Sequence, residues 1–266
     1  MKIRLDKLLV DRGLAQSRER AQALILAGRV LVEEQRTDKP GTPTAEDAQV
    51  RMLGDDLKFV GRGGLKLERA LDYWRIELAG RASVDVGAST GGFTDCMLQR
   101  GAPSVLAIDT GYGQIAQKLR SDARVTLMER TNARLLEPHS LSAYGVTFIA
   151  IDVSFISATL VLPAVLAALA PAAQIWEGEL VLLIKPQFEA GREHVGKGGI
   201  VREQGARQIA IDRVALAVHT HGGCSLDIID SPIKGMEGNH EYLLHALFGK
   251  LNRTLHAEAV KDDCQD

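Results

Sequence analysis

Val84-Asp85-Val86-Gly87-Ala88-Ser89-Thr90-Gly91-Gly92-Phe93-Thr94 decides the reading of this 266-residue chain. A β-branched run leads into a glycine-rich turn, and a helical pattern follows it. In that strand–turn–helix context, backbone N–H groups at a helix N-terminus hold the polar part of a nucleotide-like ligand. Gly87, Gly91 and Gly92 let the main chain bend sharply and approach a ligand with no Cβ in the way. The spacing does not read G-x-G-x-x-G, so the dinucleotide fingerprint is not met, and no Gly-Lys-Ser/Thr follows to form a phosphate-gripping loop. On the glycines alone, a bare structural turn is the competing reading.

Downstream of this stretch, strand-like and helical patterns alternate. Apolar runs occur at Ser83–Val86, Val105–Ile108, Val125–Met128, Phe148–Ile151 and Leu180–Ile184. The pattern predicts an α/β fold, a mostly parallel sheet with helices on both faces. Asp109, Asp152 and Lys185 each come immediately after one of these runs. In open parallel sheets the ligand crevice lies at the carboxyl ends of the strands, so the three ionisable groups are expected to converge there. Any one of them alone would equally be a turn residue or a helix cap. Asp109, at the end of the second run, suits the hydroxyls of a ribose. Asn132 follows the third run and either touches an adenine or caps the next helix.

Bulk properties narrow the classes. The formal charge of −2 carries no global nucleic-acid signal, yet residues 1–30 hold seven Lys/Arg against three Asp/Glu. A basic lobe on a near-neutral body engages a polyanion locally. Three cysteines without a Cys-x-x-Cys pair make neither a disulfide framework nor a zinc ribbon. His219, His221 and Cys224 lie close together, but no second pair stands at a zinc-site spacing, so no metal is expected. No signal peptide heads the sequence, and a cytoplasmic location is expected. One segment challenges this: Phe155 to Trp176 is a run of 22 uncharged residues, long enough to span a bilayer. Pro163, Pro171 and its alanine content argue instead for a helix buried beside the sheet, with no stable membrane association.

Residues 1–60 read as a small module. Leu5, Leu8 and Leu9 fall at helical spacing, Ser17 is placed to cap a second helix with Ala21, Leu24 and Ile25 on its apolar stripe, and Gly28 closes it. Arg4, Lys7, Arg12, Arg18, Arg20 and Arg29 populate the polar faces. They make either a solvated helical hairpin or a dock for an RNA backbone, in which each cation neutralises phosphate. Arg4-Leu5-Asp6-Lys7-Leu8-Leu9-Val10, Ser17-Arg18-Glu19-Arg20-Ala21 and Ile25 to Val32 resemble the "S-four" domain, a small α+β RNA-binding module. That resemblance implies RNA contacts from Arg4, Lys7, Arg18, Arg20 and Arg29. A glycine-rich joint at 61–66 follows, and a helix after it carries Leu67, Leu71 and Trp74 on one stripe and Arg62, Lys66 and Arg69 on the other. Arg62 is a further candidate for RNA contact.

The whole chain resembles the TlyA family, haemolysin-A-like ribosomal RNA 2′-O-methyltransferases that join an S-four-type module to an FtsJ-like body. The motifs are Arg62 to Leu67, Ser89 to Thr94, Asp152-Val153-Ser154-Phe155-Ile156-Ser157, Lys185 to Gly191 and Gly238-Asn239-His240-Glu241. The resemblance implies a Rossmann-like fold that uses S-adenosylmethionine, held by Asp85, Gly87, Ala88, Ser89, Thr90, Gly91, Gly92, Phe93, Asp109, Asn132 and Asp152. It implies a catalytic tetrad at Lys66, Asp152, Lys185 and Glu241, and ribosomal RNA or ribosomal subunits as partner, with cytidine as the modified nucleotide. It also implies an organisation of module (1–60), linker (61–66), methyltransferase body (67–252) and polar tail (253–266). Lys185 acts either as the base for a ribose 2′-hydroxyl or as a cation stabilising the developing alkoxide. The competing readings are a membrane-acting haemolysin, a non-catalytic RNA-binding regulator, or a surface ion-pair cluster in place of the tetrad.

Overall fold

The computed structural model describes residues 2–15, 17–26, 28–52, 58–235 and 238–249, so the tail expected over 253–266 lies outside the described residues. The chain divides into two compact units, Met1–Lys58 and Phe59–Asp266. In the first unit, β1 (Lys2–Arg4) leads into a hairpin of α1 (Leu5–Asp11) and α2 (Arg18–Leu26). Then follow β2 (Val30–Val32), β3 (Gln35–Arg36), β4 (Pro43–Ala45) and β5 (Val50–Met52). Leu5, Leu9, Ala21 and Ile25 are fully buried where the two helices meet. The Ser17 hydroxyl accepts the Arg20 N–H at 3.2 Å, and Gly28 leaves the helix with φ +64°. β1 pairs antiparallel with β4, while β3, β2 and β5 form a separate small sheet.

The second unit opens with α3 (Gly63–Tyr73), then β6 (Ser83–Val86), α4 (Gly92–Gln99), β7 (Val105–Ile108), α5 (Gln117–Arg120), β8 (Val125–Met128) and β9 (Phe148–Ile151). It continues with α6 (Ala158–Leu169), β10 (Gly178–Ile184), α7 (Pro186–Glu189), α8 (Gln204–Thr220), β11 (Gly223–Asp230) and β12 (Tyr242–Phe248). One seven-stranded sheet runs β11-β12-β10-β9-β6-β7-β8. β8, β7, β6, β9 and β10 are parallel, and β12 lies antiparallel between β10 and β11. Phe148–Ile151 is buried at every position, as a strand covered on both faces must be. One core, with Val161, Leu162 and Val165 of α6 against Ile149 and Ile151, fills one face; another, with Leu67, Leu71 and Met97 against Phe148, fills the other.

The uncharged run from Phe155 resolves into an exposed turn, the twelve-residue helix α6 and a loop. Among the described residues no helix is long and apolar enough to cross a membrane.

The linker expected at 61–66 is not a separate segment. The unit boundary falls at 58/59, and Gly63 already lies in α3. The glycines here serve close packing rather than a hinge. A Cβ on Gly64 would overlap the Phe59 ring at 2.3 Å, and one on Gly92 would come within 2.9 Å of the Gly64 nitrogen. At Gly64 and Gly92 the N-terminal turns of α3 and α4 therefore meet backbone to backbone. The basic stripe on α3 also changes character: Lys66 is 8% exposed and faces inward.

Candidate active site at the carboxyl ends of the strands

The glycine turn after β6 sits directly over the end of β9. Gly87 has φ +89°, and a Cβ there would lie 2.4 Å from the Asp152 carbonyl oxygen. Only glycine satisfies both conditions. Gly91 caps α4 in the left-handed region (φ +95°) and brings no side chain to the helix N-terminus. Gly87, Ala88, Ser89, Thr90, Gly92 and Phe93 line a cavity of about 580 Å³, within the size range of small-molecule sites. Gly91 shapes the turn, its α-carbon facing Leu119 and Ile115.

Three of the residues expected at a cofactor take other or additional roles. Asp85 does not line the cavity. It is fully buried, and its Oδ2 accepts the Thr94 N–H at 2.8 Å and the Thr94 hydroxyl at 2.6 Å, tying β6 to the first turn of α4. Its Oδ1 is buried with no hydrogen-bond partner. Burial first, with Asp152 and Asp109 adding like charge, pushes its carboxyl up to about 7. Asn132 caps: its Oδ1 accepts the Arg134 N–H at 3.1 Å and starts a 3₁₀ turn at Ala133–Leu135. Asp109 does stand beside the glycine turn, in a recess shared with Ala88, Ser89, Gly111, Gln114 and Glu129. Its two oxygens accept the Ser89 N–H at 2.8 Å and the Gly111 N–H at 2.6 Å.

Lys66, Asp152, Lys185 and Glu241 all line the one cavity, brought there from α3 and from the ends of β9, β10 and the approach to β12. They form two ion pairs. Lys66 Nζ donates to Glu241 Oε2 at 2.5 Å, and Lys185 Nζ lies 2.6 Å from Asp152 Oδ1 while donating to the Ser154 hydroxyl at 2.7 Å. Lys66, Lys185 and Glu241 are each under a tenth exposed. Two buried lysines thus converge on the cavity, each paired with a carboxylate, and the four do not form a solvated surface cluster.

Residue spacing gives no role to Ser154, Phe155 or Phe188, which belong to the same cavity. Phe155 is 93% exposed and takes φ +65°, an uncommon conformation for a bulky residue, with its ring centroid 5.6 Å from that of Phe188. The turn that presents it is fastened by Glu189, which accepts the Ser157 hydroxyl at 2.5 Å and the Ala158 N–H at 2.7 Å. Its only trace in the sequence is a phenylalanine set among serines after an apolar run.

Of the cations expected to meet RNA, Arg62 lines the cavity. In the N-terminal unit, Arg4 makes a paired contact with the buried Asp6 at 2.8–3.0 Å and Arg18 reaches the same carboxylate at 3.2 Å, with Gln22 at 2.9 Å. The Arg4 guanidinium foremost holds the Asp6 carboxyl well below its usual range. Both arginines remain about half exposed, so Asp6 orients them and leaves donors facing solvent.

The sheet order, the glycine turn after β6 and the cavity at the strand ends define an α/β enzyme of the methyltransferase type. A solved S-adenosylmethionine dependent methyltransferase from Mesorhizobium loti shares the fold, with a TM-score of 0.51 at 15% identity over 70% of this chain and 100% of that one. The FtsJ-like methyltransferase family model matches residues 59–248, and the S4 domain model matches residues 3–50. The chain is 41% identical over 260 residues to the 16S/23S rRNA (cytidine-2′-O)-methyltransferase TlyA of Mycobacterium tuberculosis, covering 97% of this chain and 94% of that protein. It is 37% identical to Hemolysin A of Brachyspira hyodysenteriae, over 91% and 99% of the two. A hemolysin-named structure from Streptococcus thermophilus superposes with a TM-score of 0.69 at 42% identity, over 93% and 88%. The chain therefore belongs to the TlyA family of FtsJ-like methyltransferases.

Proposed function

We propose that the chain transfers a methyl group from S-adenosylmethionine to a ribose 2′-hydroxyl of ribosomal RNA, with cytidine as the nucleotide. The observation that carries this is the meeting of Lys66, Asp152, Lys185 and Glu241 in one cavity with the Gly87–Phe93 turn. The residues fit the cofactor: the glycine turn at the start of α4 lines the cavity with backbone, and Asp109 stands beside that turn for ribose hydroxyls. When bound, the cofactor supplies a methyl group already activated on a sulfonium.

The protein's own work is then positioning and charge control. Alignment of the attacking oxygen accounts for about 7–11 kcal/mol of barrier lowering in favourable systems. Lys185, an ammonium held between Asp152 and Ser154, faces the oxygen that loses its proton and stabilises the charge developing there. The Lys66–Glu241 pair fixes the opposite wall. The proton leaves to water or, in the alternative role, to Lys185 itself. The Phe155 and Phe188 rings offer a face for a nucleobase at the mouth. Arg4, Lys7, Arg18, Arg20 and Arg29 of the N-terminal unit, with Arg62 at the cavity, supply phosphate contacts. Such a substrate puts the work in the cytoplasm.

The test uses purified full-length protein, radiolabelled S-adenosylmethionine and separated ribosomal subunits from a strain lacking the gene. Label is expected in an alkali-resistant dinucleotide with wild type and to be absent with Lys185→Ala. Cofactor binding with no label in either subunit would overturn the assignment.

A further inference from the structure

Asn239, the residue before His240 and Glu241, is 1% exposed and has both ends of its side chain engaged by backbone. Its Nδ2–H donates to the Gly199 carbonyl at 2.8 Å, and its Oδ1 accepts the Val201 N–H at 3.0 Å. Its own carbonyl accepts the Gly235 N–H at 2.9 Å. The segment it grips is a tight hairpin. The Gly196 N–H donates to the Ile200 carbonyl at 3.0 Å, and the Gly199 N–H to the Gly196 carbonyl at 3.1 Å. Val195 and Gly199 line the cavity, and the exposed Lys197 stands at the hairpin's turn.

Two positions beyond Asn239, Glu241 holds Lys66 across the same cavity. One strand approach thus sets a catalytic carboxylate and, through a buried carboxamide, a wall contributed by a segment 40 positions away. A carboxamide is suited to this splice because it donates and accepts at once, which neither a carboxylate nor an aliphatic side chain does. The hairpin, with glycine at 196, 198 and 199, has little intrinsic preference for one conformation. We infer that Asn239 is a positioning residue for methyl transfer: it pins the Gly196–Ile200 hairpin as the cavity wall against which the RNA nucleotide is seated. The inference rests on the ribosomal RNA reading above.

The test compares full-length wild type with Asn239→Asp and Asn239→Ser. In Asn239→Asp the carboxylate still accepts from Val201 but turns an oxygen without a proton toward the Gly199 carbonyl. Expected for Asn239→Asp are a lowered melting temperature, because the carboxylate is buried without a counter-charge, S-adenosylmethionine affinity close to wild type, faster tryptic cleavage after Lys197, and kcat/KM for RNA lowered roughly 10²-fold, as a small displacement of a seating surface produces. Lowering the pH protonates the buried acid, which then donates to Gly199 again. Both protection from trypsin and relative kcat/KM of Asn239→Asp recover toward wild type, while those of Asn239→Ser do not. Wild-type cleavage and wild-type kcat/KM in Asn239→Asp would overturn the inference. So would a collapse of melting temperature and cofactor affinity in both variants, which would make Asn239 a residue of the fold alone. Absence of methyl transfer by wild type sinks the ribosomal RNA reading and this inference with it, a failure distinct from one confined to the variants.

Discussion

Lys66 and Glu241 stand 175 positions apart in the chain and meet at 2.5 Å, their side chains 10% and 2% exposed. Such a pair is costly to break because removing one partner leaves the other charge buried and uncompensated. Glu241→Gln is expected to abolish methyl transfer and to lower stability by about 3–5 kcal/mol. Replacing both members, as Lys66→Met with Glu241→Leu, restores most of the stability and none of the activity. Urea unfolding read beside label transfer checks this; a stable, inactive Glu241→Gln would show that the pair does not hold the two segments together.

Lys185 is fastened by Asp152 and by Ser154, so its replacement removes a charge from the cavity without disturbing the glycine turn. Lys185→Ala is expected to reduce transfer by about 10²–10⁴-fold with S-adenosylmethionine affinity close to wild type. Ser154→Ala keeps the charge and loosens its aim, giving a smaller loss in kcat. Lys185→Arg then separates the two roles: a permanently charged guanidinium keeps part of the activity where the residue stabilises charge and none where it acts as the base.

At Gly87 two constraints coincide, a positive φ and a carbonyl in contact. Gly87→Ala should lose several kcal/mol, about 1–3 of them from the backbone conformation alone. Gly113→Ala has a similar φ of +72° but open space around it, and should show only the conformational cost. Thermal melts of the two proteins check the difference, and equal losses would mean that the contact with Asp152 is easily relieved.

Asp85 provides a pH signature. Its carboxyl is raised from 3.8 to about 7 in the folded chain, chiefly by burial. Between those values the unfolded chain gives up a proton that the folded chain retains, so stability falls as pH rises through this window. Asp85→Asn removes that dependence while keeping an oxygen for the Thr94 N–H. The wild-type melting temperature should decline relative to Asp85→Asn from pH 4 to pH 8. A constant difference between the two curves would show that Asp85 ionises normally inside the fold.

β6, β7 and β9 were legible because they are buried on both faces, so their apolar runs are nearly continuous, while β8, a partly buried edge strand, still carries three apolar residues in four. Ser83–Val86, Val105–Ile108, Val125–Met128 and Phe148–Ile151 have the same bounds in sequence pattern and structure. β11 gave no such signal: it is an edge strand with an irregularity between Cys224 and Asp227, and its exposed positions carry serine and aspartate. The glycines at 61–64 read as a joint because spacing cannot distinguish a hinge from two backbones in contact. Asp85 and Asn132 were legible as polar residues at the right strands, but their direction depends on φ and ψ, which place them toward α4 and a 3₁₀ turn. Asn239 was legible only as part of a motif, because its two partners lie in a loop that pattern alone does not bring near.

The order of the strands sets when the protein becomes competent. β12 is the last of the seven in the chain, yet it lies inside the sheet between β10 and β11. During synthesis the N-terminal module and the glycine turn emerge first, and the β10 edge stays unpaired until β12 arrives with Glu241 just ahead of it. A prematurely terminated chain would keep the basic module yet lack the partner of Lys66. Truncation near residue 235 therefore removes the Lys66–Glu241 pair and strand β12 together, whatever remains of the first unit.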